Sequence, residues 1–267
     1  MAELFLLGAV VVLVVAGIAG FVLANDMEVP SHRLAMPLRT MAVFPHADDE
    51  TVAAGGTLAV LARLGAPVAL VILTRGELGT IDGQPRPGLA ELRSAEARRA
   101  ADLLGIDPLI QGGFSDGTLD AHRDEVSSWL ASEIEAWRPD LVITYDLAGL
   151  YGHPDHVACA QILTELRATR FPTMKLWYSS LPLALVQVMV RFRAMPNDFP
   201  EASMRSRPTH KVFIGRRLRS KIRAWNAYSS QRDSLRSGAG KFIPSWLFLS
   251  ILVFEYFSAA PEVVRPA

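Results

Sequence analysis

The chain has 267 residues, half of them hydrophobic and a fifth charged, so it carries enough apolar surface to bury a full core and is not a disordered polymer. Its 27 Lys and Arg balance 27 Asp and Glu, and a formal net charge of +0 withholds the basic field expected of a dedicated nucleic-acid binder. A single cysteine, Cys159, excludes an intrachain disulfide framework and any zinc site built from several thiolates.

Leu4–Ala24 runs without a charge, long enough to cross a hydrocarbon core as a helix, and it accounts for much of the mean hydropathy of +0.23. Met1-Ala2-Glu3 ahead of it lacks the basic residues of a cleaved signal. The expectation is one N-terminal transmembrane helix within residues 1–25. Arg33 and Arg39 follow the run and no basic residue precedes it, which places the main domain on the cytoplasmic side of the membrane. Residues 26–40, with Pro30 and Pro37, read as a connector.

Beyond the connector, β-branched runs at Met41–Phe44, Val68–Leu73, Leu141–Tyr145, Leu176–Ser179 and Val212–Ile214 alternate with helical stretches. Leu89–Leu104 has helical spacing and stops at Gly105. This rhythm predicts an α/β fold, a Rossmann-like, mostly parallel sheet with helices on both faces, as a catalytic domain over 41–236. Residues 237–267 read as an apolar C-terminal extension packed on the domain or the membrane interface. In such folds functional groups collect at the carboxyl ends of the strands.

Two polar clusters stand there. Pro45-His46-Ala47-Asp48-Asp49-Glu50 follows the first strand, and Gly152-His153-Pro154-Asp155-His156 follows the Leu141–Tyr145 strand past a glycine-containing loop. Three of the six histidines lie in these two short segments. Imidazole with carboxylate suits zinc or a similar divalent ion, and a catalytic site needs three protein ligands and one open position. His46, Asp49 and His156 supply the three. Pro154 fits the first turn of a helix, with His153 at its cap and His156 three residues on. Asp48 is left beside the metal as a carboxylate able to accept a proton from water, and His153, oriented by Asp155, is placed to stabilise an oxyanion or protonate a leaving amine.

These residues resemble the LmbE-like and PIG-L-like zinc-dependent de-N-acetylases. His46 to Glu50 is similar to the family's His-Pro-Asp-Asp-Glu motif, and Gly152 to His156 to its second motif. Supporting echoes are Thr74-Arg75-Gly76-Glu77-Leu78-Gly79, Arg93-Ser94-Ala95-Glu96, Phe114-Ser115-Asp116-Gly117, and Lys221 through Ala224 to Tyr228-Ser229-Ser230-Gln231. The resemblance implies zinc (or another divalent metal such as iron(II)) on His46, Asp49 and His156, Asp48 as general base, His153 and Asp155 at the tetrahedral intermediate, and Arg93 and Asp116 as substrate contacts. Ala47 departs from the family's proline, which loosens the loop without changing a ligand.

Other features carry less. Cys159 lies between Ala158 and Ala160 and reads as a small core residue. Gly55-Gly56 lacks the Lys-Ser/Thr of a phosphate loop. Between Arg191 and Lys241, thirteen Lys and Arg face three Asp and Glu, a basic stretch suited either to anionic lipid headgroups or to a solvated helix face. Together the sequence predicts a membrane-anchored hydrolase that removes the acetyl group from an N-acetylglucosaminyl substrate, a lipid-linked one of the GlcNAc-phosphatidylinositol kind, with membrane lipids as partners and no nucleic acid. The alternatives are an amidase on a soluble glycoconjugate and a non-catalytic glycolipid-binding protein.

Overall fold

The computed structural model describes residues 11, 15, 17–22, 25–34, 38–80, 84–191, 205–231, 249 and 252–260. Seven strands form one sheet: β1 (Thr40–Phe44), β2 (Val68–Thr74), β3 (Leu109–Phe114), β4 (Leu141–Tyr145), β5 (Lys175–Ser180), β6 (His210–Phe213) and β7 (Phe254–Ala259). Their spatial order is β3-β2-β1-β4-β5-β7-β6. The first five are parallel, whereas β7 runs antiparallel to both β5 and β6.

Among the described residues the main helices are α1 (Asp49–Arg63), α2 (Leu89–Leu104), α3 (Arg123–Trp137), α4 (Pro154–Thr169), α5 (Leu183–Arg191) and α6 (Leu218–Ala227). Every residue of β1, β2 and β4 is buried, which is why these strands read as continuous apolar runs. The two-residue period of a strand divides β1 between two cores. Ala42 and Phe44 pack with α1, α2 and Ala224 of α6, while Met41 and Val43 pack with α3 and α4. The predicted Leu89–Leu104 helix is present and ends at Gly105, whose φ of 78° lies in the left-handed region that glycine enters without penalty.

Two elements escape the sequence pattern. β3 contains Gly112 and Gly113 instead of a β-branched run, and β7 interrupts an apolar stretch with the buried Glu255. β7 lies inside the sheet, so part of the 237–267 extension is integral to the domain. The connector also joins the fold: Ser31 bridges Lys211, and the Lys211 carbonyl accepts the His32 N–H at 2.7 Å.

The anchor expectation is corrected. Among the described residues no helix is long and apolar enough to cross a membrane. Leu4–Ala24, apart from residues 11, 15 and 17–22, lies outside the described residues. The single-pass placement with a cytoplasmic catalytic domain, and membrane lipids as partners, are therefore withdrawn.

Candidate metal and catalytic site

β1 hydrogen-bonds to β2 on one side and β4 on the other, so the chain leaves these central neighbours in opposite directions along the sheet. Such a switch point opens a crevice at the carboxyl ends of the strands. Both polar clusters flank it. Pro45–Asp48 turns β1 into α1, whose first residue is Asp49, and a kinked turn at Gly149–Gly152 leads from β4 to α4. The amino ends of α1 and α4 both favour negative charge, and Asp49, Glu50 and Asp155 occupy their first turns.

Three side chains converge. His46 Nδ1 lies 3.2 Å from His156 Nε2, Asp49 Oδ2 lies 3.3 Å from His46 Nδ1, and Asp49 Oδ1 lies 3.4 Å from His156 Nε2. Ligands about 2.0–2.2 Å from a tetrahedral zinc ion stand about 3.3–3.5 Å apart; the three contacts have that length, with one Asp49 oxygen against each ring. His156 Nδ1 donates to the Gly149 carbonyl at 3.1 Å, and His46 Nε2 faces Asp116 Oδ1 at 3.0 Å and Asp155 Oδ2 at 3.2 Å. His156 therefore presents its Nε2 lone pair to His46 and Asp49, and the carboxylates behind His46 orient its ring, as outer carboxylates and carbonyls orient histidine ligands. Among the described residues, His46, His153 and His156 cluster closely enough to share an ion, as do His46, Asp116 and Asp155. The latter set uses the other nitrogen of His46.

Burial alone would lower the His46 pKa, but the hydrogen bonds its ring donates to Asp116, Asp155 and Asp49 outweigh it and raise it well above the ordinary value. Burial opposes ionisation of Asp49 too, yet the charges of His156 and His46 hold it well below the usual carboxylate range. His156 is pushed down to about 4 by burial. A cluster that gathers this much negative charge around one imidazole is suited to a cation.

Asp48, adjacent to Asp49 in the chain, has its side chain 18% exposed and its Oδ1 3.9 Å from Arg93 Nη2. Burial pushes its carboxyl up to about 8, against the pull of the Arg93 guanidinium. At the cap of α4, His153 Nδ1 accepts the Asp155 N–H at 3.2 Å, so the neutral ring carries its proton on Nε2. Burial, followed by the charge of His46, lowers its pKa.

The remaining predicted residues are spent on protein groups. Asp155 takes the N–H groups of Gly117 (2.7 Å) and Leu119 (3.1 Å) and reaches His46 with its carboxylate, not His153. Asp116 accepts the Leu78 N–H at 3.3 Å in addition to facing His46. Buried Arg93 donates to the carbonyls of Ala47 (2.6 Å) and Gly76 (3.2 Å) and so ties two rim loops together. Two tyrosines go unnoticed in the sequence. The Tyr145 hydroxyl donates to Asp49 Oδ1 at 2.9 Å while its ring stacks 4.4 Å from His156, and Tyr151 lies edge-on to His153 and His156. Their only sequence signal is an aromatic residue at a strand end and another two before His153. Cys159 is buried against Thr144, its thiol pushed up to about 12 by burial.

Comparison with known proteins identifies the family. The sequence profile of the family described as PIG-L, GlcNAc-PI de-N-acetylase, matches residues 41–166. A probable N-acetyl-alpha-D-glucosaminyl L-malate deacetylase 2 of Bacillus anthracis is 36% identical over 48% of this chain and 58% of its own length. A 1D-myo-inositol 2-acetamido-2-deoxy-alpha-D-glucopyranoside deacetylase of Saccharopolyspora erythraea is 30% identical over 78% of this chain and 83% of its own. The solved N,N'-diacetylchitobiose deacetylase of Pyrococcus horikoshii shares the fold, with 23% identity, 93% of each chain covered and a TM-score of 0.61. Against the first curated relatives the chain spans about half of their length. Two motifs at one switch point, and a match along most of the Saccharopolyspora relative, lead to one assignment: the chain belongs to the PIG-L, GlcNAc-PI de-N-acetylase family.

Proposed function

We propose that the chain is a metal-dependent de-N-acetylase acting on N-acetylglucosamine in a small glycoside. The observation that carries this reading is the convergence of His46, Asp49 and His156, with 3.2–3.4 Å between the two rings and from each ring to one Asp49 oxygen, and Asp48 adjacent in the chain. We assign zinc to these three ligands, with iron(II) as the alternative for the same donors. When bound, such a cation supplies a Lewis acid that polarises the acyl oxygen and acidifies water.

Asp48 acts as general base. Its side chain makes no helix-capping hydrogen bond, and Arg93 favours its charged form. His153 donates from Nε2 to the oxygen that becomes negative as the amide carbonyl is attacked. The proton collected by Asp48 serves the departing amine. Asp155 and Asp116 keep the His46 ring oriented. Choice of an amide follows from relatives named as deacetylases of GlcNAc-malate and GlcNAc-inositol, since three ligands and a base serve ester hydrolysis equally well. The lipid carrier rested on the anchor and has no support without it.

The test is acetate release from GlcNAc-inositol and GlcNAc-malate by the zinc-loaded protein and by Asp48→Asn. The expected result is release by the parent chain and a loss of about 10²–10⁴-fold in the variant with zinc still bound. Fully metallated protein that frees no acetate from either glycoside overturns the reading.

A further inference from the structure

We propose that Glu50 and Tyr228 are positioning residues that lock the Asp48 main chain in its left-handed conformation and thereby aim the Asp48 carboxylate. This rests on the reading of Asp48 as the base. Asp48 has φ 108° and ψ −28°, a positive φ that a non-glycine residue holds only when its surroundings impose it. It caps α1, yet its side chain makes no capping hydrogen bond, although aspartate is among the best capping residues. Its carboxylate is thus withheld from the helix and kept for the crevice.

The main chain of Asp48 is fixed from both ends. Its carbonyl accepts the N–H groups of Thr51 (3.0 Å) and Val52 (3.2 Å), and its own N–H donates to Glu50 Oε2 at 3.1 Å. In an ordinary capping box the acidic residue stands three places after the cap. Glu50 stands two places after, and this shorter loop closes with Asp48 turned to positive φ. The other oxygen, Glu50 Oε1, accepts the Tyr228 hydroxyl at 2.8 Å and the Thr51 hydroxyl. Both Glu50 and Tyr228 are fully buried, so neither reaches a substrate and the pair works through Asp48.

Tyr228 is itself immobilised. It caps the end of α6, and the next two residues are clamped to α2: Ser229 Oγ, Ser230 N–H and Ser230 Oγ all donate to Glu96, at 2.6–2.9 Å. Asp49 does not depend on this brace, because the His46 N–H and the Tyr145 hydroxyl, both at 2.9 Å, hold its carboxylate. The brace therefore acts on the base and not on the ligand beside it.

The experiment compares Glu50→Ala, Glu50→Gln, Tyr228→Phe, Asp48→Asn and the double variant Asp48→Asn/Glu50→Ala in the metal-loaded full chain. Glu50→Ala is expected to lower kcat by about 10–100-fold with KM and metal content unchanged, the scale of loss caused by a small misplacement of a catalytic group. Glu50→Gln keeps an oxygen for the Asp48 N–H and restores most of the activity, and Tyr228→Phe falls between. The double variant is no slower than Asp48→Asn, because a residue acting through Asp48 has nothing left to position. Glu50→Ala with parental kcat, loss of metal along with activity, or a further kcat loss in the double variant overturns the proposal. If Glu50→Ala does not fold, Tyr228→Phe with and without Asp48→Asn decides by the same criterion. Full activity of Asp48→Asn defeats the underlying assignment of the base, whereas an inert Asp48→Asn beside a fully active Glu50→Ala defeats only the positioning role.

Discussion

The carbonyl of Gly149 accepts the Nδ1 proton of His156 at 3.1 Å, which fixes the tautomer of that ring and leaves its Nε2 lone pair facing His46 and Asp49. Gly149 has φ 61°, and a Cβ there would stand 2.9 Å from Val157 Cγ2 and 3.0 Å from the Cβ of His156. Gly149→Ala must shift the carbonyl and the ring together. The expected outcome is a destabilisation of about 1 kcal/mol or more and a loss of metal affinity of about tenfold. Urea unfolding and metal titration calorimetry measure the two effects.

Asp155 offers a sharper contrast between two roles. Its carboxylate lies 3.2 Å from His46 Nε2 and accepts two main-chain N–H groups. Asp155→Asn is expected to weaken metal binding about 10–100-fold, the usual cost of losing an outer carboxylate behind a histidine ligand. Competition against a chromophoric chelator reads this directly. Unchanged metal affinity with reduced turnover would instead assign Asp155 to His153.

Chelation is expected to lower the melting temperature without unfolding the chain, because both hydrophobic cores are complete without the crevice. Metal at 100 times its dissociation constant adds about 2.7 kcal/mol to the folded state. Scanning calorimetry with chelator, then with excess zinc, shows the shift and its reversal.

Lys221 and Glu255 form an ion pair at 2.7 Å with their side chains only 2% and 3% exposed. Glu255 also takes the N–H groups of Gly56 (2.8 Å) and Thr57 (2.7 Å), and Lys221 donates to the Val52 carbonyl at 3.0 Å. The pair binds β7 and α6 to the middle of α1. Lys221→Met strands a buried carboxylate and is expected to cost about 3–5 kcal/mol, part of which returns in Lys221→Met/Glu255→Leu. Urea midpoints of the single and double variants test this.

His210 packs among Trp177, Phe257 and His32, and burial, followed by the charge of His32, pushes its pKa from 6.5 down to about 4. Between those values the unfolded chain binds a proton that the folded chain refuses. This contribution to stability is complete above the unfolded pKa and shrinks as pH falls toward the folded one. His210→Phe is expected to flatten that part of the stability profile, as read from urea midpoints across the acid range and compared with the parent chain.

How much of this was legible in the sequence depends on the range of the interaction. The parallel core follows from runs such as VALVILT, and the meeting of His46 with His156 follows from placing both motifs after strands that neighbour each other. Asp155 is different: its partner depends on how the loop at Gly117–Leu119 folds over α4, which no local pattern encodes. The Tyr145–Asp49 and Tyr228–Glu50 contacts join residues 96 and 178 positions apart. β7 was hidden for a related reason, since a charged residue in its core partner position mimics the end of an apolar segment. With Leu4–Ala24, apolar length alone suggested a membrane span that no described helix has the length and apolarity to make.

The antiparallel insertion of β7 between β5 and β6 sets the order of assembly. As the chain leaves the ribosome, strands β1 to β5 and their helices are all synthesised while the β5 edge, from Trp177 to Ser180, still waits for residues 256–259. Until those arrive, the nascent domain exposes an open hydrogen-bonding border able to pair with another chain.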